Sequence, residues 1–227
     1  MSPDQYTNAW QHPETRKAWH LHMVMTVLRL TGWVAACVAA LAVYVVFLSS
    51  GFAPLLVAFL GYGAYRAVLQ VGCLTWSVNI KRVLEQYPWQ LFHGLPRGRS
   101  KHPDAGEDEM WYEIPNPENP GEGVPLLFLA NMRLLWWVRR FGTAKTQQEL
   151  KAEIEPLWFA GDPRFYAVIA APGRGGRRPK RLHFLYQRSA RWDTRHPTSD
   201  WGAGAEALEQ ARRAGARTPD PVAPPQQ

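Results

Sequence analysis

An apolar block at residues 30–78 constrains this 227-residue chain more than any other feature of its sequence. The first part of the block, residues 30–48, contains 19 residues without a charge. At about 1.5 Å per residue, a helix of that length crosses a hydrocarbon layer about 30 Å thick. Ser49, Ser50, Gly51 and Pro54 interrupt the block, and residues 52–78 are long enough to cross back. The sequence therefore predicts a membrane α-helical hairpin of two transmembrane helices.

Positive charges flank the apolar block at both ends. Arg16, Lys17 and Arg29 precede the first span, Lys81 and Arg82 follow the second, and the turn between the spans has no charge. Segments rich in Lys and Arg stay on the cytoplasmic side of a membrane. We therefore expect a multi-pass protein of the plasma membrane with both its N- and C-termini in the cytoplasm. The polar leader before the first span differs from a signal peptide, so the anchor is expected to be retained.

The sequence divides into four predicted segments. Residues 1–23 form a polar N-terminal segment, and residues 24–87 form the transmembrane hairpin with a cytosolic extension that Pro88 ends. Residues 88–190 are predicted to be a β-rich cytosolic domain. Residues 191–227 are predicted to contain a short helix at about 203–214 and a disordered, Pro-rich tail.

The predicted cytosolic domain is built from short apolar runs of strand length. One short helix at about residues 146–154 interrupts them. The domain is thus a small α+β domain, mostly antiparallel β, of the half-open barrel type. Trp136 and Trp137, as neighbours on one strand, would point to opposite faces, so one of them would lie outside the main core. The predicted strands are residues 110–114, 126–129, 134–138, 157–160, 165–170 and 182–187.

Two polar residues, Arg66 and Gln70, lie one helical turn apart within the second span. Polar side chains inside a membrane are costly, and they often mark functional sites. Arg66 can instead extend to the membrane surface or bond to the neighbouring helix. The alternative to these structural roles is a role in transport, in which Arg66 and Gln70 face an interface shared by several copies of the chain.

Small residues also occur at intervals in the two spans. Such residues let helix backbones approach closely. They predict a tightly packed hairpin, with lateral association into a homo-oligomer as the alternative. The small residues are Gly32, Ala36 and Ala40 in the first span and Gly61 and Gly63 in the second.

A basic cluster is the sharpest functional feature of the predicted domain. Residues 146–190 contain eight Lys or Arg and four Asp or Glu, a net charge of +4 out of +7 for the chain. Glycines and Pro179 separate the cationic residues, and Arg side chains bind phosphate well. We expect this turn either to be solvated or to bind anionic lipid headgroups or a protein partner, and nucleic acid is the least favoured partner. The cluster is Arg174, Arg177, Arg178, Lys180 and Arg181.

Patterns typical of enzymes and metal sites are absent from the sequence. The glycines are not followed by Lys and Ser or Thr as in a P-loop, the acidic residues lack the order of an EF-hand, and the histidines are scattered. We therefore predict no catalytic activity, no cofactor and no metal. Asp162, between Gly161 and Pro163, is predicted to be a turn residue whose carboxylate bonds to nearby backbone amides.

Two segments resemble a known group of proteins. Residues 83–90 read V-L-E-Q-Y-P-W-Q, and residues 157–165 read L-W-F-A-G-D-P-R-F. With the preceding hairpin, they resemble uncharacterised actinobacterial two-span integral membrane proteins with a cytosolic β-rich domain, over residues 25–188. The resemblance implies the membrane location and the β-rich domain, but no catalytic residue. We therefore expect a membrane-anchored binding or scaffold protein with an unknown protein partner. The alternative is a small oligomeric transporter or channel subunit that uses Arg66 and Gln70.

Overall fold

A computed structural model describes most of the chain, namely residues 6–47, 50–93, 110–119, 121–129, 134–141, 148–173, 178–191 and 198–219. Contacts divide the described residues into two compact units. Trp19–Val78 form the first, which we call the hairpin unit. The second, which we call the β unit, joins the described parts of Met1–Ala18 and Asn79–Gln227.

Two long helices make the hairpin unit, and both also contribute to the β unit. Helix α1 is Pro13–Phe47 and helix α2 is Ala53–Gln86, with a short 3-10 turn at Ser50–Phe52. Both helices are long and apolar enough to cross a membrane. In the most apolar 18-residue stretch of each helix, only 6% of α1 and 11% of α2 is buried. Helix α2 ends two residues before Pro88, as its missing N–H and ring predict.

The inner seam of the hairpin is small and polar. Gly63, Gln70 and Ser77 recur every seven residues on α2, and all three are buried. Trp19 on α1 donates its indole Nε1–H to the carbonyl of Ser77 over 2.8 Å. The outward faces are apolar, with exposed side chains that include Val38, Val45, Val46, Leu55, Val57 and Val68. A helix pair folded in water has the opposite arrangement, with its apolar stripe inside.

Of the three glycines predicted to pack the hairpin, Gly63 lies in this seam. A Cβ atom on Gly63 would collide with the Sγ atom of Cys37, so the glycine permits the close approach of the helices. Gly32 and Gly61 are exposed, and a Cβ atom on either would meet nothing within 4 Å. The prediction that Gly32 and Gly61 pack the hairpin is therefore wrong. Both cysteines, Cys37 and Cys73, are free.

A six-stranded antiparallel sheet forms the centre of the β unit. Its strand order is β1-β4-β5-β6-β3-β2, and β1 and β2 are its edges. The described strands do not close into a full barrel, in agreement with the half-barrel prediction. The strands are β1 Gln90–Phe92, β2 Trp111–Pro115, β3 Gly123–Phe128, β4 Leu157–Gly161, β5 Tyr166–Pro172 and β6 Pro179–Tyr186.

Both faces of this sheet are buried, which explains the nearly continuous apolar runs of β4 and β5. One face belongs to a hydrophobic core that includes Tyr112, Phe128, Phe159 and Ile169. The opposite face carries Trp158, whose ring contacts the rings of Trp89 and His12 at centroid distances of 5.8 and 5.9 Å. The N-terminal segment is therefore part of the β unit.

Three described helices accompany the sheet, where the sequence predicts two short helices, one near 146–154 and one near 203–214. They are α3 Leu134–Phe141, α4 Gln148–Ala152 and α5 Ala205–Arg213. The predicted strand at residues 134–138 is thus wrong, because this segment is helical. The predicted helices near 146–154 and 203–214 are present as α4 and α5.

The unit boundaries also differ from the predicted ones at residues 24, 88 and 191. Ile80, Val83 and Leu84, at the end of α2, are almost fully buried. Helix α5 is tied to the same region, because the side chain of Gln210 donates to the carbonyl of Gln86 over 2.7 Å. These long-range contacts draw both helix ends and α5 into the β unit.

His12 gives the β unit an expected dependence on pH. Its ring is 6% exposed and lies between Tyr6 and Trp158. Burial lowers the pKa of His12 below 6.5, although the charge of Glu14 opposes the shift. The unfolded chain then binds more protons than the folded one below about pH 6.5, so stability falls as the pH falls, by up to about 1.4 kcal/mol per pH unit.

Thermal unfolding at pH 7.5 and pH 5.5 measures this effect. We expect His12→Phe to lose less stability on acidification than the natural chain. His93→Phe, which changes an exposed histidine of the same unit, serves as the control. Equal pH dependence in the natural chain and in His12→Phe would contradict the assignment.

Candidate functional site

Helix α3 places two side chains on the outside of the core. Leu134, Trp137, Val138 and Phe141 recur at helical spacing and pack in or against the core. Trp136 lies at the margin of the core, against which it also packs, and Arg140 follows one turn later on the same side of the helix. Of the two neighbouring tryptophans, Trp137 is 1% exposed, whereas Trp136 is half-buried. One Trp does lie at the edge of the core, but on a helix rather than on a strand.

Two guanidinium groups stack on the ring of Trp136. The Cζ atom of Arg140 lies 3.9 Å from the ring centroid, and that of Arg181 lies 4.4 Å from it. Arg140 is fixed by an ion pair with Glu153, to which its Nε donates over 2.8 Å. This pair links α3 to the residue that follows α4. Trp136 therefore serves as a rigid platform for two cations, of which one is neutralised.

A break in strand pairing brings Lys180 next to Arg181. Ala171 on β5 pairs with Arg181 on β6, and the next pair is Pro172 with Pro179, so Lys180 is an extra residue. Such a β-bulge interrupts the alternation of side chains along a strand. In a regular strand, Lys180 and Arg181 would point to opposite faces. Here both line the same cleft.

The cleft between α3 and β6 has a volume of about 420 Å³. We call it the α3–β6 cleft. Its described charged lining comprises three cations and two carboxylates, so the net charge of the described lining is +1 when all are ionised. No Ser, Cys or His is among its described lining residues. These are Trp136, Arg140, Ala152, Glu153, Glu155, Ala171, Pro172, Gly173, Lys180 and Arg181.

Arg181 lies beside a second cation of the cleft, Arg140. Burial lowers its pKa below the ordinary value, the charge of Arg140 lowers it further, and Glu153 acts in the opposite direction. Among the described residues, Arg181 has no ion pair within 4.0 Å. A cation held beside another cation attracts an anion.

The structure separates the described residues of the predicted basic cluster. Arg174 and Arg177 lie outside the described residues. Arg178 is exposed and pairs with Glu14 of the N-terminal segment over 3.8 Å. Lys180 and Arg181 line the α3–β6 cleft. The described part of the cluster therefore serves two contacts, one structural and one open to a ligand.

The predicted intramembrane pair lies within the hairpin unit. The guanidinium of Arg66 lies 5.4 Å from the ring centroid of Trp33 and 5.7 Å from that of Tyr62. Trp33 belongs to α1, so this contact joins the two helices. Gln70 is 4% exposed and lies in the seam. Arg66 thus has a structural role in the hairpin, and its use in transport stays a prediction.

Asp162 forms the turn that the sequence predicted. Its Oδ1 atom accepts a hydrogen bond from the backbone N–H of Arg164 over 2.9 Å. The same carboxylate also receives Nε and a terminal nitrogen of the Arg164 side chain at 2.9 and 2.8 Å. Burial lowers the pKa of Arg164, but the hydrogen bond and charge of Asp162, joined by those of Glu118, outweigh it and raise the pKa.

Sequence reasoning missed Arg140 as a partner of the basic cluster and missed the helical position of Trp136. The spacing of Leu134, Trp137, Val138 and Phe141 at i, i+3, i+4 and i+7 is the signal that would have identified α3 as a helix. The bulge at Lys180 has no comparable signal, because it depends on the pairing of β5 with β6.

Comparisons of the chain with protein-family models, curated proteins and solved structures found no match. No residue role is therefore transferred to this site from another protein. The resemblance to actinobacterial two-span membrane proteins stays a prediction.

Proposed function

We propose that the chain is a membrane-anchored binding or scaffold protein without catalytic activity of its own. The arrangement of the hairpin unit carries this proposal. Apolar side chains such as Val45 and Val68 face outward, whereas Gln70 and Ser77 lie in the seam. Exposing this apolar surface to water costs about 25 cal/mol per Å², and a bilayer removes that cost. A lipid environment therefore fits the hairpin better than water does.

The charges around the hairpin support one orientation in the plasma membrane. Lys and Arg lie on both flanks of the apolar block, and the connecting turn has none. We therefore place the N- and C-termini in the cytoplasm, and the β unit with them. The turn at Ser50–Phe52 lies outside.

The α3–β6 cleft is the site at which the β unit recognises its partner. It is concave, it carries a net positive charge, and Arg181 has unused hydrogen-bonding capacity toward an anion. The cations and the carboxylates offer binding and orientation rather than an activated nucleophile. An acidic protein segment or an anionic lipid headgroup therefore suits the cleft, and a substrate for covalent chemistry does not.

Affinity capture of the full-length chain from its own membranes in mild detergent tests the proposal. We expect a defined set of proteins or lipids to co-purify with the natural chain. Lys180→Glu with Arg181→Glu should lose most of this set, because charge reversal in the cleft repels an anion. Arg139→Glu reverses an exposed charge on α3 outside the cleft and should retain it. A set that is unchanged in the double variant would contradict the cleft as the binding site.

A transporter or channel subunit is the alternative function. It requires several copies of the hairpin, because two helices do not enclose a pathway. Arg66→Leu is expected to abolish transport if this alternative holds, and to leave capture by the α3–β6 cleft intact. The same variant thus separates the two functions.

A further inference from the structure

We propose that the α3–β6 cleft binds a phosphodiester group of the glycerol type, held between the side chains of Arg181 and Lys180. The inference rests on the proposed function, since it names the ligand of the same cleft. A glycerophosphodiester occurs both as a phospholipid headgroup and as a free soluble compound, and the chemistry of recognition is the same for both.

The shape of the cationic pair favours phosphate over a carboxylate. The guanidinium of Arg181 lies over the ring of Trp136, which restricts the directions open to its fork. Lys180 reaches the same cleft from the neighbouring position of the bulge. The planar carboxylate fits one guanidinium fork, whereas the tetrahedral phosphate offers oxygens to a fork and to an ammonium in different directions.

The charge of the cleft favours a diester over a monoester. The described lining contains Arg140, Lys180 and Arg181 together with Glu153 and Glu155, which gives it a net charge of +1. Glu153 compensates Arg140 directly through their ion pair. A phosphodiester carries one negative charge and neutralises the remaining positive charge of the described lining. A monoester dianion would carry one more negative charge than the described lining balances.

The environment of Trp136 disfavours nucleic acid, whose backbone is also a phosphodiester. Proteins that bind single strands stack bases on open aromatic rings. The ring of Trp136 is already occupied by the guanidinium groups of Arg140 and Arg181 at 3.9 and 4.4 Å. A glycerol substituent needs no such ring, and the cleft volume of about 420 Å³ accommodates it.

Saturation-transfer NMR on the full-length chain in nanodiscs of a galactolipid, which contains no phosphate, tests the inference, with glycerophosphoglycerol as the probe. We expect Arg181→Gln to weaken binding at least about tenfold, because a charge-assisted bidentate contact is lost. Lys180→Gln should weaken it about threefold to fivefold, since a single flexible contact is removed. Arg139→Gln removes the same charge from α3 outside the cleft and should change binding less than about twofold.

Nanodiscs that contain phosphatidylglycerol identify the source of the ligand. If the lipid headgroup occupies the cleft, discs with phosphatidylglycerol abolish binding of the soluble probe. In Arg181→Gln, probe binding should then no longer differ between discs with and without phosphatidylglycerol. If the probe binds equally in both discs, the ligand is the soluble compound. Both results support the phosphodiester site.

Three results would overturn the inference. They are equal losses in Arg181→Gln and Arg139→Gln, tighter binding of glycerol phosphate than of glycerophosphoglycerol, or tighter binding of single-stranded RNA. If the natural chain binds no phosphodiester, this inference also fails. The proposed function then still stands, provided that charge reversal in the cleft removes the captured proteins. Near-ultraviolet circular dichroism of Arg181→Gln verifies that the variant is folded.

Discussion

Replacing Asp162 by alanine is expected to destabilise the β unit by about 3–5 kcal/mol, because it leaves the buried guanidinium of Arg164 without its main partner. The side chain of Arg164 is 3% exposed, and that of Asp162 is 8% exposed. Glu118 also contacts Arg164 over 3.3 Å, but its side chain is 54% exposed. Water therefore screens the second ion pair, and it compensates little for the loss of the first.

Two further variants make this prediction specific. Glu118→Ala should cost less than about 1 kcal/mol, as expected for an exposed ion pair. Asp162→Ala combined with Arg164→Met should recover part of the stability that Asp162→Ala loses, because no charge then stays buried. Urea unfolding of the full-length variants in nanodiscs measures all three. Equal losses for Asp162→Ala and Glu118→Ala would show that the buried pair does not stabilise the β unit.

Replacing Gly63 by leucine is expected to separate the two helices of the hairpin unit and to cost about 1–3 kcal/mol of packing energy, or more. The seam has no room at this position, because a Cβ atom alone would collide with the Sγ atom of Cys37. Gly61 lies two residues away on the outer face, and a Cβ atom there meets nothing within 4 Å. Gly61→Leu is therefore the matched control and should be tolerated.

Steric-trap measurements on the full-length chain in lipid micelles quantify the separation of the helices. Cys37→Gly removes the colliding atom, so its combination with Gly63→Ala should restore the stability that Gly63→Ala loses. If Gly61→Leu and Gly63→Leu have the same effect, the close approach of α1 and α2 at Gly63 is not part of the native hairpin.

Local patterns in the sequence predicted much of the fold. The uncharged run before Ser49 identified the first apolar helix, and Pro88 identified the end of α2. The alternation around Tyr112 and the apolar runs around Phe159 and Ile169 identified strands. These features depend on the period of the side chains and on fixed backbone chemistry, both of which are readable within a few residues.

The features that sequence missed depend on residues far apart in the chain. One exception is local. Five consecutive apolar residues, including Trp136 and Trp137, predict a strand, although Phe141 extends a helical period and the segment is a helix. The partners of Arg181 and Arg66 are tryptophans distant in sequence, and no local pattern couples them. The sequence predicts the end of α2 as part of the hairpin and the start of α1 as part of a separate N-terminal segment, because their burial in the β unit depends on long-range contacts.

Labelling of single cysteines in intact cells tests the central claim most directly, that a two-span hairpin anchors a cytoplasmic β unit. In a chain with Cys37→Ala and Cys73→Ala, Gly51→Cys marks the turn and Glu206→Cys marks exposed α5. We expect a membrane-impermeant maleimide to label Gly51→Cys in intact cells and Glu206→Cys only after permeabilisation. Labelling of Glu206→Cys in intact cells, or release of the chain from membranes by alkaline carbonate, would contradict the account.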